Sequence, residues 1–287
     1  MRQITYQQIV DTVERLCIEA AHELPEDVLE ALKKAVENES NLRARKILKQ
    51  LLENARIAES EQIPLCQDTG LAVVFVEMGG DAEFEPPQED KGLTLFDAIN
   101  EGVARGYENG YLRKSVVAEP LKERKNTVTN TPAIVHFSLV KGDKLKISVM
   151  TKGGGCENRS RFKIFQPTVD KGVIVDWVVE VVKEAGADAC PPFVVGVGIG
   201  GDFEQCCLMS KRSMLRKLGS RHADVFYASL EEKMLYKINK TGIGPQGMGG
   251  DTTALGVLIE AGPCHIASLP AAVNIECHSH RHKTAVL

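Results

Sequence analysis

The chain has no apolar run approaching the ~20 residues that a membrane-spanning helix needs. Its opening residues, Met-Arg-Gln-Ile-Thr-Tyr-Gln-Gln, hold no signal-peptide core, so the expected location is the cytoplasm. It has no surplus of positive charge either. A formal net charge of −4 argues against nucleic acid or an anionic membrane as the main partner. No internal repeat and no low-complexity linker interrupts it, and no Cys-x-x-Cys pair occurs in it. The missing pair matters because eight cysteines are present. Without a secretory signal, in a chain of 287 residues, they do not read as a disulfide framework. A metal or cluster would need ligands gathered by the fold from distant segments, and isolated cysteines are more often buried as small apolar residues.

What is present suits a globular protein with a substantial core, as one large domain or two modest ones: 43% hydrophobic and 26% charged residues. Residues 4 to about 58 read as helical. Ile9, Val13, Leu16 and Ala20 recur at helical spacing, as do Val28, Leu29, Leu32 and Val36, and then Ile47, Leu48, Leu51 and Leu52. Pro25 opens the second helix with Glu26 and Asp27 in its first turn, and Ser40 or Asn41 can cap the third. Beyond residue 60 short apolar runs alternate with glycine. Strands are predicted at Leu71–Val76, at Ala133–Val140 and Leu145–Met150 (a hairpin across Lys-Gly-Asp), and at Phe193–Ile199. Helices are predicted at Leu93–Glu108, Val173–Glu184 and Glu204–Leu218, with a polar loop over residues 79–92. The expected fold class is mixed α/β: a helical N-terminal cap (1–60) packed on an α/β body (61–287) with short, partly parallel strands, as one continuous domain.

Two glycine runs match the dinucleotide fingerprint. Gly196-Val-Gly198-Ile-Gly-Gly201 follows a strand-like run and precedes a helix, but no following strand ends in an acidic residue. Gly242-Ile-Gly244-Pro-Gln-Gly247 follows a helical stretch and so lacks the required context. The plainer reading of the first run is a tight strand-to-helix turn.

Three cysteines sit in unusual settings: Pro-Leu-Cys66-Gln67-Asp68-Thr69-Gly70, then Cys190 followed by two prolines and an apolar run, then Cys277-His-Ser-His-Arg-His. His278, His280 and His282 beside Cys277 invite a zinc reading, although one short segment does not easily converge on one ion. Taken together, the three settings resemble the cluster-binding segments of the class I fumarase and L-tartrate dehydratase family, in its α subunit or N-terminal region. The resemblance covers essentially the whole chain.

That resemblance implies a [4Fe-4S] cluster on Cys66, Cys190 and Cys277. One iron is left without a protein ligand and is able to act as a Lewis acid. It implies substrate contacts from Gln67, from Arg113 (in Asn-Gly-Tyr-Leu-Arg113-Lys-Ser), and from the glycine run holding Gly154 and Gly155. Catalytic roles fall to Asp68 and to His265, in Gly-Pro-Cys264-His265-Ile. On sequence alone Asp68 is also a turn former, Arg113 a surface arginine, and Cys17 and Cys156 bystanders. The implied function is an α subunit interconverting fumarate and (S)-malate, with L-tartrate as the alternative substrate. Single-chain relatives carry a further C-terminal region. The expectation is therefore a separate β subunit that completes the site, in an α2β2 assembly. A cluster or metal sensor without catalysis and an NAD-binding oxidoreductase are the readings from other classes.

Overall fold

Helical spacing near the N-terminus resolves into three helices. The structure, a computed structural model, describes residues 2–287. Its first elements are β1 (Arg2–Thr5), α1 (Tyr6–His22), α2 (Glu26–Asn38) and α3 (Leu42–Glu61). Ile9, Val13, Leu16 and Ala20 are all fully buried on α1. Thr5 caps it reciprocally: its side chain accepts from Gln8 N, and Gln8 Oε1 accepts from Thr5 N. Asn41 caps α3, its Oδ1 accepting from Arg43 N and Ala44 N at 2.9 and 3.2 Å.

The body then runs β2 (Leu71–Gly79), β3 (Ala82–Glu85), α4 (Leu95–Asn109), β4 (Ile134–Val140), β5 (Leu145–Lys152), α5 (Gly154–Glu157) and β6 (Arg161–Phe165). It continues through α6 (Lys171–Ala185), β7 (Phe193–Gly201), α7 (Phe203–Arg212), α8 (Val225–Asn239), β8 (Ala254–Cys264), β9 (Leu269–Glu276) and β10 (His282–Val286). The class is mixed α/β with partly parallel sheets. Among the described residues no helix is long and apolar enough to cross a membrane.

Two compact units emerge. One comprises the chain up to Pro25, Ala55–Gly154 and Arg281–Leu287; the other comprises Glu26–Asn54 and Gly155–His280. The N-terminal helices divide between them, α1 in the first and α2 in the second.

The first unit is built on a four-stranded sheet ordered β10-β5-β2-β4, with β1 paired to β3 beside it. The expected β4–β5 hairpin does not form. β2 inserts between them, parallel to β4 and antiparallel to β5. Burial explains the order. Ala72 to Val76 are buried without a break, so β2 takes a central place, while Ile134, Phe137, Leu139 and Val140 leave β4 exposed at the edge. The turn joining β4 to β5 wraps the end of β2, with Gly79 N donating to Lys144 O and Gly80 N to Val140 O. Part of the expected polar loop at 79–92 is also regular, because β3 falls within it.

The second unit has a sheet ordered β6-β9-β7-β8, with β7 and β8 parallel. Here the glycine run finds its explanation. Gly196 and Gly198 lie inside β7, not in a turn, and face α7. A Cβ at Gly196 would sit 2.0 Å from Ser210 O, and one at Gly198 would sit 2.1 Å from Cys206 O. The glycines let the helix backbone press onto the strand, which leaves the fingerprint's first two positions no phosphate-cradling role. The helix expected over Glu204–Leu218 ends at Arg212 and tightens into a 3-10 turn at Ser213–Leu215.

Candidate active site

The segment Cys66-Gln67-Asp68-Thr69-Gly70 belongs to no helix or strand, so its backbone polar groups need partners from elsewhere. In the first unit they find them in side chains. Asp68 O accepts from Arg281 Nη2 at 2.8 Å. Thr69 O and Gly70 O both accept from the Tyr107 hydroxyl, at 2.9 and 3.0 Å, and Gly70 O also accepts from Asn130 Nδ2 at 3.2 Å. Burial above all, then the Cys17 and Asp68 groups, push the Tyr107 phenol well above its ordinary range, so it stays a donor.

The Asp68 carboxylate is held at both oxygens. Oδ1 accepts from Gly70 N at 3.1 Å and Oδ2 from Gly154 N at 2.9 Å. Gly70 has φ +73, and a Cβ there would lie 2.4 Å from the Lys152 carbonyl, so only glycine lets this loop close on the glycine run. Arg113 is drawn to the same loop through its backbone, Thr69 Oγ1 donating to Arg113 O at 2.7 Å. Buried Asn130 accepts from Ser115 N at 2.7 Å and so pins the segment that follows Arg113. The first unit thus ties Arg113 and Gly154 to the loop that carries Cys66, Gln67 and Asp68, with the Gln67 and Arg113 side chains exposed.

Gly155, Cys190, His265 and Cys277 belong to the second unit. Cys190 is exposed and adopts φ 54, ψ 64, a left-handed conformation in which a cysteine is strained and a glycine would not be. His278 N donates to Cys190 O at 3.3 Å, which lays the Cys277 segment alongside Cys190. Cys277 itself is buried, its Sγ 3.1 Å from Ser279 Oγ. Among the described residues, Cys156, Glu276 and Cys277 form a group able to hold a metal, their ligand atoms all within 4.8 Å of one another. Cys156, a bystander on sequence alone, is therefore a neighbour of Cys277. His265 sits exposed in the β8–β9 turn, where its Nδ1 accepts from Ala267 N at 3.1 Å.

The histidines near the C-terminus do not converge. His280 Nε2 is 2.9 Å from Met214 O, His278 Nδ1 is 3.1 Å from Cys190 O, and His282 belongs to the other unit. Cys17 and Cys206 are buried thiols. Burial pushes each up to about 12, helped by Glu14 at Cys17 and by Cys207 and Asp202 at Cys206.

Comparison with known proteins decides what this arrangement belongs to. The chain matches the family described as fumarate hydratase (Fumerase) over residues 10–286. The chain belongs to that family. It is 40% identical over 277 residues to a Methanocaldococcus jannaschii protein named "Putative L(+)-tartrate dehydratase subunit alpha", covering 96% of this chain and 95% of that one. It is 29% identical over 281 residues to the L(+)-tartrate dehydratase subunit alpha of Escherichia coli O157:H7, covering 92% and 86%. The counterpart of Shigella boydii serotype 4 is 28% identical over the same length. As a member of the fumarate hydratase family the chain is a hydro-lyase polypeptide. Tyr107 and Asn130, which help organise the Asp68 loop, carry no local motif that sequence reading could single out, and Arg281, although it lies in the run Cys277-His-Ser-His-Arg281-His, carries no sign there of a tie to Asp68.

Proposed function

We propose that the chain is the α subunit of an iron–sulfur hydro-lyase that interconverts (S)-malate and fumarate, completed by a separate β subunit. The observation that carries the reading is Cys190, held in a left-handed backbone conformation beside the Cys277 segment, in a chain of the fumarate hydratase family. The naming of its relatives as α subunits supports a β partner, and symmetry favours an α2β2 assembly.

The donor set fits a cluster. Cys190 is exposed and Cys66 half-buried, while Cys277 lies beside a further thiol and a carboxylate. Cys66, Cys190 and Cys277 are the residues proposed to hold it. When bound, a [4Fe-4S] cluster with three thiolate ligands supplies a Lewis-acid iron that stabilises the departing hydroxide.

The remaining work falls to side chains. The Asp68 carboxylate, oriented by the Gly70 and Gly154 amides, keeps a lone pair on each oxygen for the proton on the carbon next to the hydroxyl. The Arg113 guanidinium presents a planar fork to one substrate carboxylate. Gln67 and the backbone at Gly155 supply further donors, Gly154 serves through the amide that holds Asp68, and His265 donates to a carboxylate or passes a proton through Nε2. L-Tartrate is the second reading of the substrate, favoured by the names of the relatives. Anaerobic reconstitution with a cognate β subunit, followed by kcat/KM on malate and L-tartrate side by side, tests the proposal. Turnover of malate at the higher kcat/KM supports it; a preference for L-tartrate moves the substrate, and turnover of neither removes the reading.

A further inference from the structure

Three successive carbonyls in the Asp68 loop are each capped by a side chain from far along the sequence, and one of those side chains is out of place by ordinary rules. Arg281 is 1% exposed, among the largest side chains fully buried in the structure. Its Nη2 donates to Asp68 O, while Nε and Nη1, both buried, make no hydrogen bond. Burying a guanidinium without a paired carboxylate is costly, and such a group persists where something else needs it. The Asp68 carboxylate lies close by. A Cβ at Gly153 would lie 3.3 Å from Asp68 Oδ2 and 3.7 Å from Arg281 Nη2, so guanidinium and carboxylate flank the same glycine, whose missing side chain leaves them room.

We infer that Arg281 is the positioning residue of Asp68. Its contact fixes the carbonyl of the reacting residue itself. Tyr107 and Asn130 fix the next two, and the Gly70 and Gly154 amides fix the carboxylate. With these three carbonyls and both carboxylate oxygens engaged, Asp68 is held in one orientation, and the cost of aligning it is met in folding instead of at each turnover. Arg281 hydrogen-bonds the Asp68 backbone. It acts through Asp68, and the inference rests on the proton-handling role proposed for that residue.

The test uses the α chain reconstituted anaerobically with a β subunit, on whichever of malate or L-tartrate it turns over. Arg281→Met, Arg281→Gln, Asp68→Asn and the double variant Asp68→Asn/Arg281→Met are compared with the parent. Iron content and melting temperature are recorded for each. Arg281→Met is expected to lower kcat by roughly 10- to 100-fold, the scale of a misplaced catalytic group, with KM within about threefold. The primary deuterium isotope effect on kcat, read with substrate deuterated at the carbon that loses its proton, is expected to rise as proton transfer becomes slower than the other steps. A change in the fraction of folded enzyme leaves that ratio unmoved. Arg281→Gln keeps an N–H for the carbonyl and is expected to lose less, in the same direction. If Arg281→Met does not fold, Arg281→Gln carries the test. The double variant is expected to be no slower than Asp68→Asn, because the arginine acts only through the aspartate. An impaired Asp68→Asn beside Arg281 variants with unchanged kcat and isotope effect overturns the inference alone. Independent losses in the double variant do the same. A fully active Asp68→Asn overturns the role of Asp68 and the inference with it.

Discussion

Eight thiols of one residue type differ here by environment, and that difference yields the first prediction. Cys17 and Cys206 are buried with their thiols pushed up to about 12, so they stay protonated and are poor ligands. Cys190 is exposed, Cys66 half-buried, and Cys277, though buried, lies beside the ligand atoms of Cys156 and Glu276. Cys66→Ser, Cys190→Ser and Cys277→Ser should each lower the iron and sulfide content of anaerobically purified protein, while Cys17→Ser should leave both unchanged. Equal iron in all four variants contradicts the ligand assignment. Arg113→Lys keeps the charge and loses the fork, at a cost of about 1–3 kcal/mol in carboxylate recognition. That corresponds to a rise in KM of roughly 5- to 150-fold with iron content intact; an unchanged KM removes Arg113 from the substrate site. Residues such as Asp68 and Arg113 could be picked out because they sit in short runs of unusual composition. The tie of Arg281 to Asp68 could not. Arg281 lies 213 positions from Asp68, and only the fold makes them neighbours.

At the scale of elements, period and punctuation carried most of the information. The buried stripe of α1, the cap at Asn41 and the unbroken apolar run of β2 are all local, and local patterns predict them. Pairing is not local. The run from Ala133 to Met150 reads as a hairpin because its two strands are adjacent in sequence. Yet β2, far more buried than the edge strand β4, takes the position between them. β6, β8, β9 and β10 carry no signal strong enough to separate them from loops, and they complete both sheets. The glycines of β7 show the same limit: their spacing mimics a nucleotide motif, whereas their use is close packing against α7. Gly198→Ala would place a methyl 2.1 Å from Cys206 O and should cost at least ~1–3 kcal/mol, as an overpacked core does. Thermal unfolding should report it as a melting temperature lower by roughly 2–10 °C. An unchanged melting temperature argues that β7 and α7 do not meet so closely.

At the scale of the molecule the proposed ligands and substrate contacts are shared out. Cys66, Gln67, Asp68, Arg113 and Gly154 lie in one compact unit, and Gly155, Cys190, His265 and Cys277 in the other. Each unit has its own sheet and its own buried core, so the chain has what it needs to fold without a partner. Catalysis asks for more. Gln67, Arg113 and His265 present exposed side chains, and water must be kept from the reacting atoms for their charges to act at full strength. A β subunit is proposed to supply that enclosure. The measurement that tests this account most directly is a titration. Anaerobically reconstituted chain, with its iron and sulfide determined, is assayed for malate and L-tartrate dehydration as β subunit is added. The account predicts a folded, iron-loaded chain that is inactive alone and whose activity rises with β until the two are equimolar. Full activity of the chain alone contradicts it.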